Sequence, residues 1–170
     1  MIRRWLLQAV DRYSIHTGKG LYSCMVVKKS WHCAYDIHYH FVFVVKYRKS
    51  LLNPEVVEHL MSVTQEIAAR YEIEVETLGT DDNHIHLLCS AHPKLSPGDI
   101  VRIYKSITAR ELFQRVPALK KELWGGQFWS DGYFVATVGQ RGGYQALVRY
   151  ITNQGHKPEA VNLKLLFPEQ

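Results

Sequence analysis

The sequence predicts an α+β domain of the ferredoxin-like, split βαβ kind: a four-stranded antiparallel sheet with helices on one face, followed by one more C-terminal helix. Three observations predict it. Segments rich in aromatic and β-branched residues alternate with segments whose apolar residues return at helical spacing. From residue 35 onward the order of these segments is β-α-β-β-α-β-α, and its first six members are the split βαβ arrangement. The length, 170 residues, suits one domain able to bury its own core.

Residues 1–30 lack clear periodicity and carry a Gly-Lys-Gly turn at 18–20, so they are expected to form an N-terminal extension to which no role is assigned; residues 31–170 form the domain proper. The stretch YDIHYHFVFVVKYRK, 35–49, predicts a long first strand. Asn53-Pro54 opens a helix, because proline suits the first helical turn, and Val57, Leu60, Met61, Val63 and Ile67 carry it to about Arg70. EIEVETLGT alternates as a second strand. HIHLLCSA is a third, joined to it by the turn Asp81-Asp82-Asn83. Ser96-Pro97 begins a second helix with an apolar stripe of Ile100, Ile103, Tyr104 and Ile107, and Arg102 and Lys105 off that stripe. A basic, Trp-containing linker leads to a fourth strand, GYFVATVG. Gly142-Gly143 precedes a last helix that runs to about Gln154.

Composition narrows the class without deciding the function. The net charge is +5 and hydrophobic residues make up 46%, as in an ordinary folded protein with a mild preference for polyanions. Three cysteines, Cys24, Cys33 and Cys89, with no C-x-x-C pair, argue against a disulfide framework or a structural zinc site and suit a cytoplasmic location. No apolar run approaches the length needed to span a membrane, and the opening MIRRWLLQAV lacks the cleavage site of a signal peptide.

Two features carry chemistry. In the third strand, His84-Ile85-His86 puts two imidazoles on one face, because side chains alternate along a strand. Neighbouring imidazoles are natural metal ligands. The first strand offers the same spacing in His38-Tyr39-His40, and periodicity does not choose between the pairs. In the last helix Tyr144, Leu147, Val148 and Ile151 form an apolar stripe, and at about 100° per residue Tyr150 and Gln154 lie roughly 40° apart at its edge. A tyrosine hydroxyl there is a usable nucleophile toward a phosphodiester once activated. Gln154, one turn on, can offer an amide oxygen as a third ligand.

Those residues, together with HYHFVFVVKYRKSLL, DDNHIHLL, FWSDGYFVATVG and YITNQ, resemble the single-tyrosine HUH transposases of the insertion-sequence 200/605 family across roughly residues 32–155. The resemblance implies His84 and His86 as the metal pair, Tyr150 as nucleophile and Gln154 as third ligand. It further implies a divalent ion, Mg2+ or Mn2+, and single-stranded DNA with hairpins at the element ends as substrate. Cleavage would leave a 5′-phosphotyrosine and a free 3′-hydroxyl, in a homodimer whose tyrosine acts in cis or in trans. Lys46, Arg48, Lys49, Arg102, Lys105 and Arg110 are candidate DNA contacts, and Trp124, Phe128 and Trp129 are either base-stacking or core residues. Two alternatives accompany this reading: a domesticated single-strand nicking and joining enzyme of the same superfamily, and a non-catalytic ferredoxin-like nucleic-acid binder.

Overall fold

The computed structural model describes residues 27–139 and 143–153. The expected N-terminal extension up to residue 26, including the turn at 18–20, lies outside these residues, as does Gln154.

Among the described residues six strands and four helices follow in order: β1 (Lys28–Ser30), β2 (Cys33–Tyr35), β3 (Tyr39–Val44), α1 (Pro54–Tyr71), β4 (Ile73–Thr80), β5 (His84–Ala91), α2 (Pro97–Arg115), α3 (Leu119–Glu122), β6 (Phe134–Thr137) and α4 (Tyr144–Thr152). Strands β3 to β6 form one antiparallel sheet in the order β4-β5-β3-β6, the split βαβ topology that the element order predicts. β1 and β2 form a separate hairpin. That hairpin crosses the expected junction at residue 30, and Lys28 reaches Glu74 on β4 at 2.5 Å.

The long first strand expected over 35–49 is three pieces. Tyr35 closes β2, residues 36–38 belong to no strand, and β3 ends at Val44, followed by a short 3-10 turn over Lys46–Arg48. β-branched and aromatic residues continue past Val44, but Tyr47 (φ 61°) and Arg48 (φ 53°) take the left-handed conformation, which no strand accommodates.

Both long helices start where their caps dictate. Asn53 Oδ1 accepts from the Val56 N–H at 2.9 Å and Ser96 Oγ from the Asp99 N–H at 3.1 Å, each ahead of a first-turn proline. α1 and α2 cover the sheet face formed by Phe41, Phe43, Ile85, Leu87 and Cys89. The buried side of α2 is Ile100, Val101, Tyr104, Thr108 and Leu112, rotated from the expected stripe, so Ile103 and Ile107 sit at its margin. Thr108 is the reason a polar residue belongs inside. Its hydroxyl donates to the Tyr104 carbonyl at 2.6 Å and accepts from Trp129 Nε1–H at 2.9 Å. Trp129 and Phe128 are therefore core residues, while Trp124 is 85% exposed.

α4 lies on the opposite face. Leu147 and Ile151 pack on Leu88, with Val138, Tyr144, Val148 and Tyr150 around them. Gly79 makes that approach possible: a Cβ there would fall 2.2 Å from the Ile151 carbonyl oxygen.

Candidate active site

The register of β3 against β5 sets Val42 opposite His86, Val44 opposite His84 and His40 opposite Leu88. Directly opposed residues share a face, so His40, His84 and His86 all emerge on the side that α4 covers. Ile85, between His84 and His86, and Leu87, just after them, point to the core. The His84 and His86 rings are 5.1 Å apart, and the Tyr150 ring stands at 88° to His86 with centroids 5.3 Å apart. His40, Val42, Val44, Arg48, Asn83, His84, His86, Phe134 and Tyr150 line a cleft of about 380 Å³.

The two histidine pairs that look alike in sequence part company here. His38 Nδ1–H donates to Glu76 at 2.6 Å and its Nε2–H to Asp36 at 2.8 Å, away from the cleft. Burial lowers its pKa, but the hydrogen bonds and charges of Glu76 and Asp36 together outweigh that and raise it. Glu76 is the extra residue of a β-bulge between Val75 and Thr77, without a partner residue on β5, and its carboxylate meets both His38 and the Tyr144 hydroxyl, the latter at 2.9 Å. Burial, then Glu76, pushes the Tyr144 phenol up to about 12, so it stays protonated and donates.

His40 and His86 are buried at 1% and 4% exposure, with Nε2 of His40 and Nδ1 of His86 2.9 Å apart. Burial pushes His40 down to about 4; burial, reinforced by His40 and His84, pushes His86 down to about 3. Both are neutral near pH 7, so one proton lies between them. With that proton on His86, its Nε2 carries a lone pair, and this buried atom has no hydrogen-bond partner among the described residues. His84 holds the matching tautomer, since its Nδ1–H donates to Asn83 Oδ1 at 2.9 Å. Among the described residues the two Nε2 lone pairs are thus unengaged, on neighbouring side chains of one strand face, which fits a metal ion. Among the described residues no group of three or more His, Cys, Asp or Glu side chains converges to hold an ion.

Of the expected cationic contacts, only Arg48 lines the cleft, and its guanidinium has no ion-pair partner among the described residues. Lys46 pairs with Asp131 at 3.1 Å and Lys49 with Glu122. Lys105 donates to the carbonyls of Ser130, Asp131 and Gly132, which makes it a tether for the loop before β6. Arg102 pairs with Asp99, and Arg110 with Glu111, on the helix layer opposite the histidines. Sequence reasoning overlooked Asn83, Glu76 and Gly79 as parts of this site. A turn residue directly before the histidine pair was the one available signal.

Residues 33–154 match the family described as IS200-like transposases. The ISDra2 transposase TnpA of Deinococcus radiodurans is 37% identical over 131 residues, covering 77% of this chain and 93% of that protein. The transposase for insertion sequence element IS200 of Salmonella typhimurium is 27% identical over 109 residues, 64% of this chain and 72% of that protein. The crystal structure of a Deinococcus radiodurans R1 protein assigned as a transposase superposes with a TM-score of 0.62 at 34% identity, covering 75% of this chain and 97% of that one. A REP-associated tyrosine transposase bound to a REP hairpin shares the fold at 14% identity, TM-score 0.54, covering 74% of this chain and 72% of that one. Sharing its sequence pattern and its sheet with such proteins, the chain is a transposase. It belongs to the IS200-like transposase family.

Proposed function

We propose that this transposase cuts and rejoins single-stranded DNA with Tyr150 as nucleophile. The observation that carries the reading is the Tyr150 ring set across His86 in a cleft where His84 and His86 both leave Nε2 unengaged. Attack by the tyrosine oxygen forms a bond to phosphorus as the bond to the 3′ oxygen breaks, leaving a 5′-phosphotyrosine and a 3′-hydroxyl. A 3′-hydroxyl attacking the same phosphorus reverses the exchange, so rejoining needs no external energy source.

His84 and His86, with the amide oxygen of Gln154, are the residues that would hold a divalent ion, Mg2+ or Mn2+. When bound, such an ion neutralises and polarises the scissile phosphate. Arg48 at the cleft contributes a fixed cation for that phosphate. Hairpin recognition rests on family membership and on the REP hairpin held by the fold relative. The homodimer belongs to the same reading and rests on the family resemblance. Mixing Tyr150→Phe with His84→Ala chains restores activity if the site is shared between subunits.

The test is a denaturing gel with hairpin-bearing single-stranded DNA labelled on the 3′ side of the cut. The parent protein with Mn2+ or Mg2+ yields a labelled covalent adduct, whereas fully paired blunt duplex does not. Tyr150→Phe keeps the ring and its packing but yields no adduct. An adduct from Tyr150→Phe overturns the reading.

A further inference from the structure

Beside the cleft mouth the chain presents two aromatic side chains to solvent. Tyr47, 56% exposed, precedes the cleft-lining Arg48, and Trp124 is 85% exposed. The Tyr47 hydroxyl donates to the Trp124 carbonyl at 3.5 Å, so the two segments adjoin. Neither display is a loose end. Tyr47 and Arg48 both hold positive φ without being glycine, a conformation that persists only where the surroundings enforce it. Here Val45 N–H donates to the Asn83 carbonyl at 2.8 Å, Lys46 N–H to Phe128 at 2.8 Å and Arg48 N–H to Val45 at 2.9 Å. Trp124 follows the buried anchors Leu119 and Leu123 and precedes Gly125 and Gly126, whose φ of +86° and +70° glycine alone takes without strain. Lys49 ties the two segments, donating to both the carbonyl and the carboxylate of Glu122.

The surroundings are cationic. Lys46, Arg48, Lys49, Lys120 and Lys121 outnumber the carboxylates of Glu122 and Asp131 and those of Asp81 and Asp82 in the adjoining turn, and Lys120 and Lys121 have no ion pair among the described residues. Exposed aromatic faces set among cations fit a strand whose bases are unpaired and whose backbone is anionic. A duplex offers the charge but not the faces, because its bases are already stacked.

We propose that Tyr47 and Trp124, with Lys120 and Lys121, form a stacking platform that holds unpaired bases of the DNA strand next to the cleft. It rests on the reading of single-stranded DNA as substrate and adds where the strand leaves the site. The strand passes Arg48 at the cleft and crosses Tyr47 and Trp124, which grip it whatever its sequence.

The test measures binding of an oligothymidine of about a dozen nucleotides, within the range such platforms cover, by fluorescence anisotropy with chelator present. Trp124→Ala is expected to weaken it on the order of tenfold, the effect of losing one stacked base. Trp124→Phe, which keeps a ring, retains most of the affinity. Tyr47→Asn removes the other ring while suiting the left-handed backbone, and weakens binding similarly. Affinity for blunt duplex stays unchanged in all three, and at saturating hairpin DNA each variant still forms the covalent adduct. Parent-like binding of oligothymidine by Trp124→Ala and Tyr47→Asn, no binding by the parent, or an equal loss on duplex each overturns the platform. A parent that binds in this ring-dependent way yet never forms an adduct leaves the platform standing and sinks the tyrosine chemistry instead.

Discussion

Gly79 on β4 and Ile151 on α4 meet so closely that a single methyl group at Gly79 would lie 2.2 Å from the Ile151 carbonyl oxygen and 2.7 Å from its Cγ2. Gly79 is also the cross-strand partner of His86, and Ile151 follows Tyr150. The contact therefore fixes how far the tyrosine stands from the histidine.

Gly79→Ala is expected to fold, because the main core lies on the other face of the sheet, but to lift α4. A displacement of about 1 Å from reacting geometry is enough to lower a rate by roughly a hundredfold. Adduct yield should fall steeply while far-UV circular dichroism stays that of the parent. An undiminished yield would show that the nucleophile does not act from this docked helix.

His40 orients His86 through the 2.9 Å contact between their rings. Replacing it with phenylalanine keeps much of the volume and removes the hydrogen-bond partner. The expected result is a loss of about tenfold to a hundredfold in Mn2+ affinity, the usual effect of removing a ligand's supporting partner, read by titration calorimetry without DNA. Unchanged affinity would reduce His40 to a packing residue.

His84→Ala and His86→Ala should each abolish cleavage yet bind hairpin DNA like the parent, since affinity comes from phosphate and base contacts elsewhere. Chelating the metal from the parent should reproduce the same split. His38→Ala should still cleave. Loss of cleavage with His38→Ala and its survival with His84→Ala would mean that the wrong pair holds the ion.

The link from Asp36 and Glu76 through His38 makes domain stability depend on pH. Because the folded-state pKa of His38 is raised, its contribution is fully present below the unfolded value of about 6.5 and fades as pH rises through the folded value. The melting temperature of the parent should exceed that of His38→Gln most on the acid side, and the gap should narrow toward alkaline pH. A gap that is constant with pH would show that His38 acts there by packing alone.

Tyr144→Phe should cost about 1 kcal/mol for the lost hydrogen bond to Glu76 and leave adduct formation intact. Thermal melting and the adduct gel read the two halves separately. Loss of the adduct with the fold retained would make Tyr144, rather than Tyr150, the reacting group.

Local pattern was enough for the long helices, the central strands and one half of the site, but not for the β1–β2 hairpin or α3. Asn53-Pro54 and Ser96-Pro97 mark the helix starts because capping and proline geometry act within one turn. The alternation in His84-Ile85-His86 puts both imidazoles on one side because strand parity is a property of the backbone. The break in the first strand was hidden, since Tyr47 and Arg48 are ordinary residues held at positive φ by hydrogen bonds from distant segments.

By itself the sequence determined the order of the four sheet strands and of the three longer helices, the parity of His84 and His86 and the edge position of Tyr150, all set by neighbours within a few residues. Only the tertiary structure decided that His40 supports His86 while His38 turns to Glu76. It also separated Trp124 at the surface from Trp129 in the core, and brought Tyr150 to His86 over a glycine far away in the chain. Those outcomes depend on strand register and on which face a helix covers. Both follow from packing the whole chain against itself, and no periodicity within one segment encodes them.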